Sequence, residues 1–518
     1  MANTKSRTYN SMRNTFFAAA AFVLKTLLQF VVRALFNRYL AVEYLGLNGL
    51  FKNVLNLLSL AELGIGHAIV FSMYKPIADN DTEKVKSLLQ LYKRFYLIIA
   101  SVITAVGLAL IPALPYIIKD APDIDINLSV VYVIYLAQTV VGYFFAYRRA
   151  LVFAYQRNDV ESKVAFAAQV ALAAAQILII VFWKNYYAYV TALVVCNLLD
   201  ALVVFLLSYK LFPEIRGKAK PLDVEDRRLI SRNTRAMFLH KIGSAIVYST
   251  DSIIISAFIS AKVLGIYSNY TLVTAAFASV ITLTSTAVRG SIGNLIATAD
   301  KEKVLRIFKA LTLALLWFTG FLFIGMFCCF KDFIVLFTGS EEKVLEVFPT
   351  ALICTSFYFT HTRGIVNTFK ECAGLFRNDR FKPLIESALN LGLDIAFVYW
   401  IGLPGVILAT IISTVTVPLW VEPYVLYKNY FKKSVWRYFA RYVVYTLITA
   451  AVGGATFVAC YFLPSGGVGL FVAKVAICTV LPNALFLLIY FRTPEFKLLW
   501  GAAKRLFKKK RTQPAEEA

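Results

Sequence analysis

The sequence predicts an all-α polytopic membrane protein of about fourteen transmembrane helices. They group as two pseudo-symmetric six-helix lobes plus two C-terminal helices. Three observations predict this: an apolar composition, apolar blocks of membrane-crossing length, and a stretch of sequence written twice in one register. Hydrophobic residues make up 59% of the 518 residues and charged residues only 16%, with a mean hydropathy of +0.67. Soluble domains carry about 25% charged residues. The apolar blocks here reach roughly 20 residues or more, the length a helix needs to cross about 30 Å of hydrocarbon.

In chain order the predicted spans are 13–36, 46–73, 90–117, 127–148, 162–183, 186–209, 233–258, 264–290, 307–329, 346–369, 382–400, 403–426, 438–462 and 467–491. With a cytoplasmic N-terminus, the inside segments hold 41 basic residues. The outside segments hold six: Arg38, Lys119, Lys184, Lys262, Lys331 and Lys343. Cytoplasmic loops carry the excess of Lys and Arg, so this asymmetry predicts an even span count with both termini inside. The first apolar block carries Lys25 and Arg33 and is too long for a signal-peptide core, so it reads as the first span. The tail "KRLFKKKR" (504–511) reads either as an anchor on anionic headgroups or as a plain topology signal.

The repeat sets the organisation. "IADNDTEKV" (77–85) returns as "IATADKEKV" (296–304), 219 residues later. The same offset relates "RNT" at 13–15 to "RNT" at 232–234, and Leu45-Gly46 to Leu264-Gly265. Six spans separate the copies, so both have the same orientation, which is a parallel repeat about an axis along the membrane normal. The expected divisions are an N-lobe at 1–209, a basic linker at 210–230, a C-lobe at 231–430, two more spans at 431–491 and a basic tail at 492–518. Two facing lobes would enclose a cavity, and their rocking would move a substrate across.

Ionisable groups at membrane depth cost about 2.5–3.5 kcal/mol each on insertion scales, so they usually face a bundle interior or a wet cavity. The first span places Lys25, Gln29 and Arg33 at steps of four; the second places Asn48, Lys52, Asn56, Ser59 and Glu62 on one face, followed by His67. The seventh carries His240, Lys241, Ser244, Tyr248 and Asp251, the eighth Thr271, Thr274, Thr282, Ser285 and Arg289, and the tenth His361, Arg363 and Asn367. Lys25, Arg33, Lys52, Lys241, Arg289 and Arg363 outnumber Glu62 and Asp251. A surplus of cations in a dehydrated cavity suits an anion, phosphate above all. The competing reading is a set of interhelical pairs that only hold the bundle, with Glu62 and Asp251 as partners of Lys25, Lys52 or Lys241. Glu62 and Asp251 are also the candidates for a coupling proton or sodium ion. Arg148 and Arg149 read as topology signals rather than an inner rim, and Gly64 and Gly66 as close-packing positions rather than a kink.

Other classes fit less well. The net charge of +24 sits in short loops without interleaved base-stacking aromatics, which argues against nucleic acid. The seven cysteines (Cys196, Cys328, Cys329, Cys354, Cys372, Cys460 and Cys478) form no CxxC, and read as small apolar packing residues with no metal site or disulfide framework. No cofactor is expected, and short outside loops leave no room for the catalytic groups of a membrane polymerase or ligase.

The segments "RNTFFAAAAFVLKTLLQFVVR", "LGLNGLFKNVLNLLSLAELGIGHAIVFSMYKPIADNDTEKV" and "YSTDSIIISAFISAKVLGIYSNY" together resemble the polysaccharide-transport flippases. That family lies in the multidrug/oligosaccharidyl-lipid/polysaccharide exporter superfamily. The resemblance implies a non-enzymatic carrier in the bacterial cytoplasmic membrane. It would turn an undecaprenyl-pyrophosphate-linked oligosaccharide to the outer leaflet by alternating access, for surface polysaccharide such as lipopolysaccharide. On it, Lys25, Arg33, Lys52, Lys241 and Arg289 would attract pyrophosphate and acidic sugars, and neighbouring Asn, Tyr and Ser would contact hydroxyls. Implied partners are the lipid-linked oligosaccharide, membrane lipids and the polysaccharide polymerase and chain-length machinery. A peptidoglycan-precursor flippase stays open as an alternative, and so does a cation-coupled drug antiporter, although the basic first span disfavours the antiporter.

Overall fold

The computed structural model describes residues 7–62, 65–119, 126–217, 219, 221–223, 249–375, 378–464 and 466–511. Every element among the described residues is helical, as the composition predicts, and helices cover the described part of each of the fourteen apolar segments. Among the described residues ten helices are long and apolar enough to cross a membrane; two shorter apolar helices, Ile69–Ala78 and Ser249–Ile259, are not. The shortfall from fourteen has a structural side, because several predicted spans are interrupted.

Helix α1 (Arg7–Tyr39) leads into α2 (Glu43–Leu58), which tightens over Ser59–Glu62 before α3 (Ile65–Ala78). The second predicted span is therefore broken rather than continuous. At the break, the Ser59 hydroxyl donates to the Leu55 carbonyl at 2.8 Å, a local bond that competes with the regular ladder. Just beyond it, a Cβ on Gly66 would lie 2.8 Å from the Tyr92 hydroxyl and 2.9 Å from that of Tyr96, so this glycine is a close-packing position. There follow α4 (Thr82–Ala109), α5 (Leu128–Ala154), α6 (Asn158–Leu178, extended by a wide turn to Trp183) and α7 (Tyr186–Leu211). After Ser249–Ile259 come α8 (Ala261–Thr298) and α9 (Lys301–Thr338), each of 38 residues. At 1.5 Å per residue that is roughly 57 Å, well beyond the hydrocarbon.

The tenth predicted span is also divided, into α10 (Val347–Thr362) and α11 (Gly364–Cys372), with Arg363 at the junction. Then come α12 (Lys382–Ile401), α13 (Leu403–Thr416), α14 (Pro418–Leu426), α15 (Trp436–Tyr461), α16 (Gly467–Tyr490) and α17 (Pro494–Arg511). The basic tail thus begins as a helix, fixed by Phe496 stacked on Trp317 at 6.0 Å and by Glu495 against Arg441 at 3.4 Å.

Contacts divide the chain into two compact units, Met1–Gly265 and Ile266–Ala518. The Ser249–Ile259 helix belongs to the first unit, where Asn53 donates to Ser252 at 2.8 Å and Asn56 to Ser249 at 3.1 Å. In the second unit Leu313, Ile324, Val452, Phe486 and Tyr490 form a core between α9, α15 and α16. Beside it Lys474 and Asp332 make a buried ion pair at 2.7 Å. The thiols of Cys328, Cys460 and Cys478 gather within 4.8 Å of one another, with Cys329 3.8 Å from Cys478, a proximity that sequence spacing alone does not reveal. They pack against Phe471 and Ile477.

The repeat has a structural meaning at two levels. Asp81 and Asp300, equivalent in the two copies, both cap helices: each carboxylate accepts from the backbone N–H three residues on, Lys84 at 2.9 Å and Lys303 at 2.7 Å. Gly46 and Gly265, also equivalent, mark reciprocal close approaches within the first unit. A Cβ on Gly46 would fall 1.8 Å from the Ala261 carbonyl oxygen; one on Gly265 would fall 2.1 Å from that of Val42. Val42 and Ala261 are themselves 219 residues apart, so the contact is self-complementary under the repeat.

Neither backbone can yield to a side chain, so Gly46→Val and Gly265→Val are each expected to lower the melting temperature of the purified protein. The scale is that of an overpacked core, about 1–3 kcal/mol. Gly142→Ala, inside α5 where nothing lies within 4 Å of the added carbon, is the control and does not lower it.

Candidate functional site

The first unit carries two polar features. The first is a face of α1 and α2. Lys25, Gln29, Lys52 and Asn56 are exposed and Arg33 is half-buried. Arg33 lies near Tyr135 and Tyr189, and within electrostatic reach of Lys52, so α1 and α2 bring like charges together. Among the described residues neither Lys25 nor Lys52 makes an ion pair. The expected partnership of Glu62 with Lys25 or Lys52 is not formed. Asn48 departs from the expected lining role: it is buried, and its carbonyl accepts from Tyr135 and, at 2.6 Å, from Tyr186. The stripe predicted on the second span therefore splits. Asn48 anchors the packing, Ser59 bonds its own helix, Asn56 ties to Ser249, and Lys52 stays free of such ties.

The second feature is a cavity of about 250 Å³ inside this unit, lined by Glu62, Tyr96, Thr139, Tyr143, Arg149 and Asn197 among others. Glu62 accepts a hydrogen bond from Tyr96, whose hydroxyl also receives one from Tyr92 at 3.1 Å. Across the cavity Arg149 pairs with Asp200 and, at 3.3 Å, with Glu161. The cavity thus joins one carboxylate held by tyrosines to an arginine held by two acids. The tyrosines, Arg149 and Asp200 were not among the expected site residues. Asp200, an acid inside an apolar run, is the one sequence signal that could have found this cavity; tyrosines in apolar runs read as packing.

In the second unit the expected cations are paired. Arg289 meets Glu371 at 2.8 Å, with its own side chain half exposed. Arg363 meets Glu422 at 3.3 Å, and the same carboxylate binds Lys382. Lys382 also lies 3.8 Å from Asp379, which pairs with the buried Lys370. His361 sits on its own helix, 3.2 Å from the Phe357 carbonyl and stacked on the Phe357 ring at 4.5 Å. Arg363 is therefore part of a bundle-holding network, the alternative reading of its charge. Asp251 is half-buried and engaged. His240, Lys241, Ser244, Tyr248 and the side chain of His67 lie outside the described residues.

Glu422 is only 2% exposed and serves two cations. Removing one partner of a buried pair strands the others, at about 3–5 kcal/mol. Glu422→Ala is expected to lower the yield and melting temperature of folded protein sharply. Glu371→Ala, which breaks the more exposed Arg289 pair and one hydrogen bond from Asn367, is expected to cost about 1–2 kcal/mol in the same melt, well below Glu422→Ala.

Comparisons with known proteins agree with this architecture. The family model described as "Polysaccharide biosynthesis protein" matches residues 11–289, more than half of the chain. No curated protein matches the sequence significantly. Among solved structures, the chain is similar to "Lipid II flippase MurJ, inward closed conformation", with a TM-score of 0.68 and 12% identity over 92% of this chain and 99% of that one. It is also similar to an inward-facing multidrug resistance MATE family transporter of the MOP superfamily, with a TM-score of 0.60 and 16% identity, covering 78% of this chain and 96% of that one. A mutant of the Vibrio cholerae MATE transporter VcmN gives a TM-score of 0.54 at 11% identity, covering 79% and 95%. At such identities the likeness is one of fold, and all three are transporters or flippases rather than enzymes. The chain belongs to the polysaccharide biosynthesis protein family, as a multi-pass membrane protein with the fold of the MOP-superfamily transporters.

Proposed function

We propose that this protein is a flippase. It carries a polyprenyl-pyrophosphate-linked oligosaccharide from the inner to the outer leaflet of the bacterial cytoplasmic membrane, both termini facing the cytoplasm. The observation that carries the reading is the cationic face of α1 and α2, where Lys25 and Lys52 have no acidic partner among the described residues and Arg33 stands within reach of Lys52. Exposed, unpaired ammonium groups on membrane-crossing helices are costly unless water or an anion meets them. A pyrophosphate supplies charge and acceptor oxygens together. Gln29, on the same exposed face, suits sugar hydroxyls, as does the side-chain oxygen of Asn56, whose amide nitrogen donates to Ser249. The family match supports polysaccharide assembly as the setting. Lys241 and Arg289 stay in the proposal as further attractors of the substrate; Arg289 would first have to release Glu371.

A peptidoglycan-precursor flippase is the second reading, favoured by the likeness to MurJ over 92% of this chain. Both readings use the same pyrophosphate chemistry, and they differ in the glycan. Glu62 is the candidate for proton or sodium coupling. Its carboxylate lines the cavity together with Tyr96 and Tyr143 and accepts a hydrogen bond from Tyr96.

Lys25→Ala and Lys52→Ala are expected to reduce surface polysaccharide at least tenfold while the protein is still made and inserted; normal polysaccharide from both variants would remove the cationic face from the mechanism. Rescue of a strain depleted of its peptidoglycan-precursor flippase, without any effect on surface polysaccharide, would decide for the second reading. For coupling, Glu62→Gln is expected to abolish the dependence of transport on the ion gradient in reconstituted vesicles. Unchanged gradient dependence in that variant assigns coupling elsewhere.

A further inference from the structure

Arg148 and Arg149 are neighbours in sequence, six and five residues before the end of α5, and the structure treats them differently. Arg149 is held by Asp200 and Glu161. Arg148 is only 5% exposed, yet its Nε and Nη1 are buried without a hydrogen-bond partner. Its guanidinium lies over the Tyr209 ring, 3.7 Å from the centroid, with the Tyr147 ring at 5.6 Å. Two more cations share these rings. Lys93 of α4 stands 5.6 Å from the Tyr147 centroid, and Arg216, just after α7, stands 5.8 Å from that of Tyr209. Arg216 also donates to the Tyr209 carbonyl. None of the three makes an ion pair among the described residues.

Three cations thus gather from three elements around two tyrosines, with no acid paired to them among the described residues. Ring faces attract a guanidinium, but they do not replace the counter-charge that a buried ion requires. The topology read from loop charge puts this cluster at the cytoplasmic ends of α4, α5 and α7. Arg148 lies about 9 Å short of the end of its helix, at the depth where long basic side chains reach headgroup phosphates.

We propose that Arg148, Lys93 and Arg216 form a binding site for a lipid phosphate group at the cytoplasmic surface of the membrane, distinct from the cationic face of α1 and α2. Two sources share this chemistry: a bulk anionic phospholipid and the pyrophosphate of a polyprenyl carrier. Arg148 supplies the inner contact and the two tyrosines fix its plane; Lys93 and Arg216 close the rim. Arg149, already neutralised, takes no part.

The test uses the full-length protein purified in neutral detergent with phosphatidylcholine. Phosphatidylglycerol or undecaprenyl pyrophosphate is added, and binding is read by native mass spectrometry and by the melting temperature. The wild-type protein is expected to melt higher with at least one of them. Arg148→Gln is expected to lose that rise and to bind at least tenfold more weakly, and Arg216→Gln and Lys93→Gln at least threefold. A rise with phosphatidylglycerol assigns a bulk headgroup; a rise with the pyrophosphate alone assigns the carrier. An equal rise in the wild type and all three variants overturns the site, as does no rise in the wild type. If Arg148→Gln fails to fold, the exposed Lys93→Gln and Arg216→Gln decide by the same measure. These results are independent of the polysaccharide phenotype of Lys25→Ala and Lys52→Ala, so either proposal can fail without the other.

Discussion

The cost of a charge in hydrocarbon is the constraint on which the rest of this structure depends. Several ionisable groups on the membrane-crossing helices meet it by pairing: Lys474 with Asp332, Arg149 with Asp200 and Glu161, and Glu422 with Arg363 and Lys382. Such pairs add little net stability over apolar packing, but removing one member is expensive, so they fix the register of their helices. What remains is informative because so much else is neutralised. Lys25, Lys52 and Arg148 stand apart from the paired set in the first unit. Cations without acids ask for an anionic ligand, and a transporter of pyrophosphate-linked lipids has two places to meet one: along its crossing helices and at the membrane surface.

A second constraint comes from backbone geometry. Helices that cross hydrocarbon must satisfy their own polar groups, so interruptions need local compensation. The break after Leu58 is compensated by the Ser59 hydroxyl, and the one at Arg363 places a guanidinium where Glu422 can reach it. Close backbone approach is used sparingly, at glycines. The reciprocal contacts of Gly46 with Ala261 and Gly265 with Val42 turn a sequence repeat into a physical symmetry element within the first unit. The Asp81 and Asp300 caps show the same duplication doing humbler work, ending a loop and starting a helix in each copy.

Sequence alone determined the class, the helical content and the repeat. These are properties of one-dimensional spacing: apolar runs of crossing length and an offset of 219 residues. It also found the cations, because a Lys or Arg in an apolar run is conspicuous whatever surrounds it. It did not determine which of them are neutralised. Arg363 and Arg148 look alike as letters. Only the fold brings Glu422 to Arg363 from 59 residues away, and brings Arg148 the ring of Tyr209 instead of an acid. Likewise Glu62 had lysines as its expected partners, and tertiary packing gave it Tyr96 and a cavity. Hydropathy and periodicity are summed along the chain, whereas pairing depends on distance between helices that lie far apart in sequence. That is why the architecture was legible from residues and the division between structural and functional charge was not.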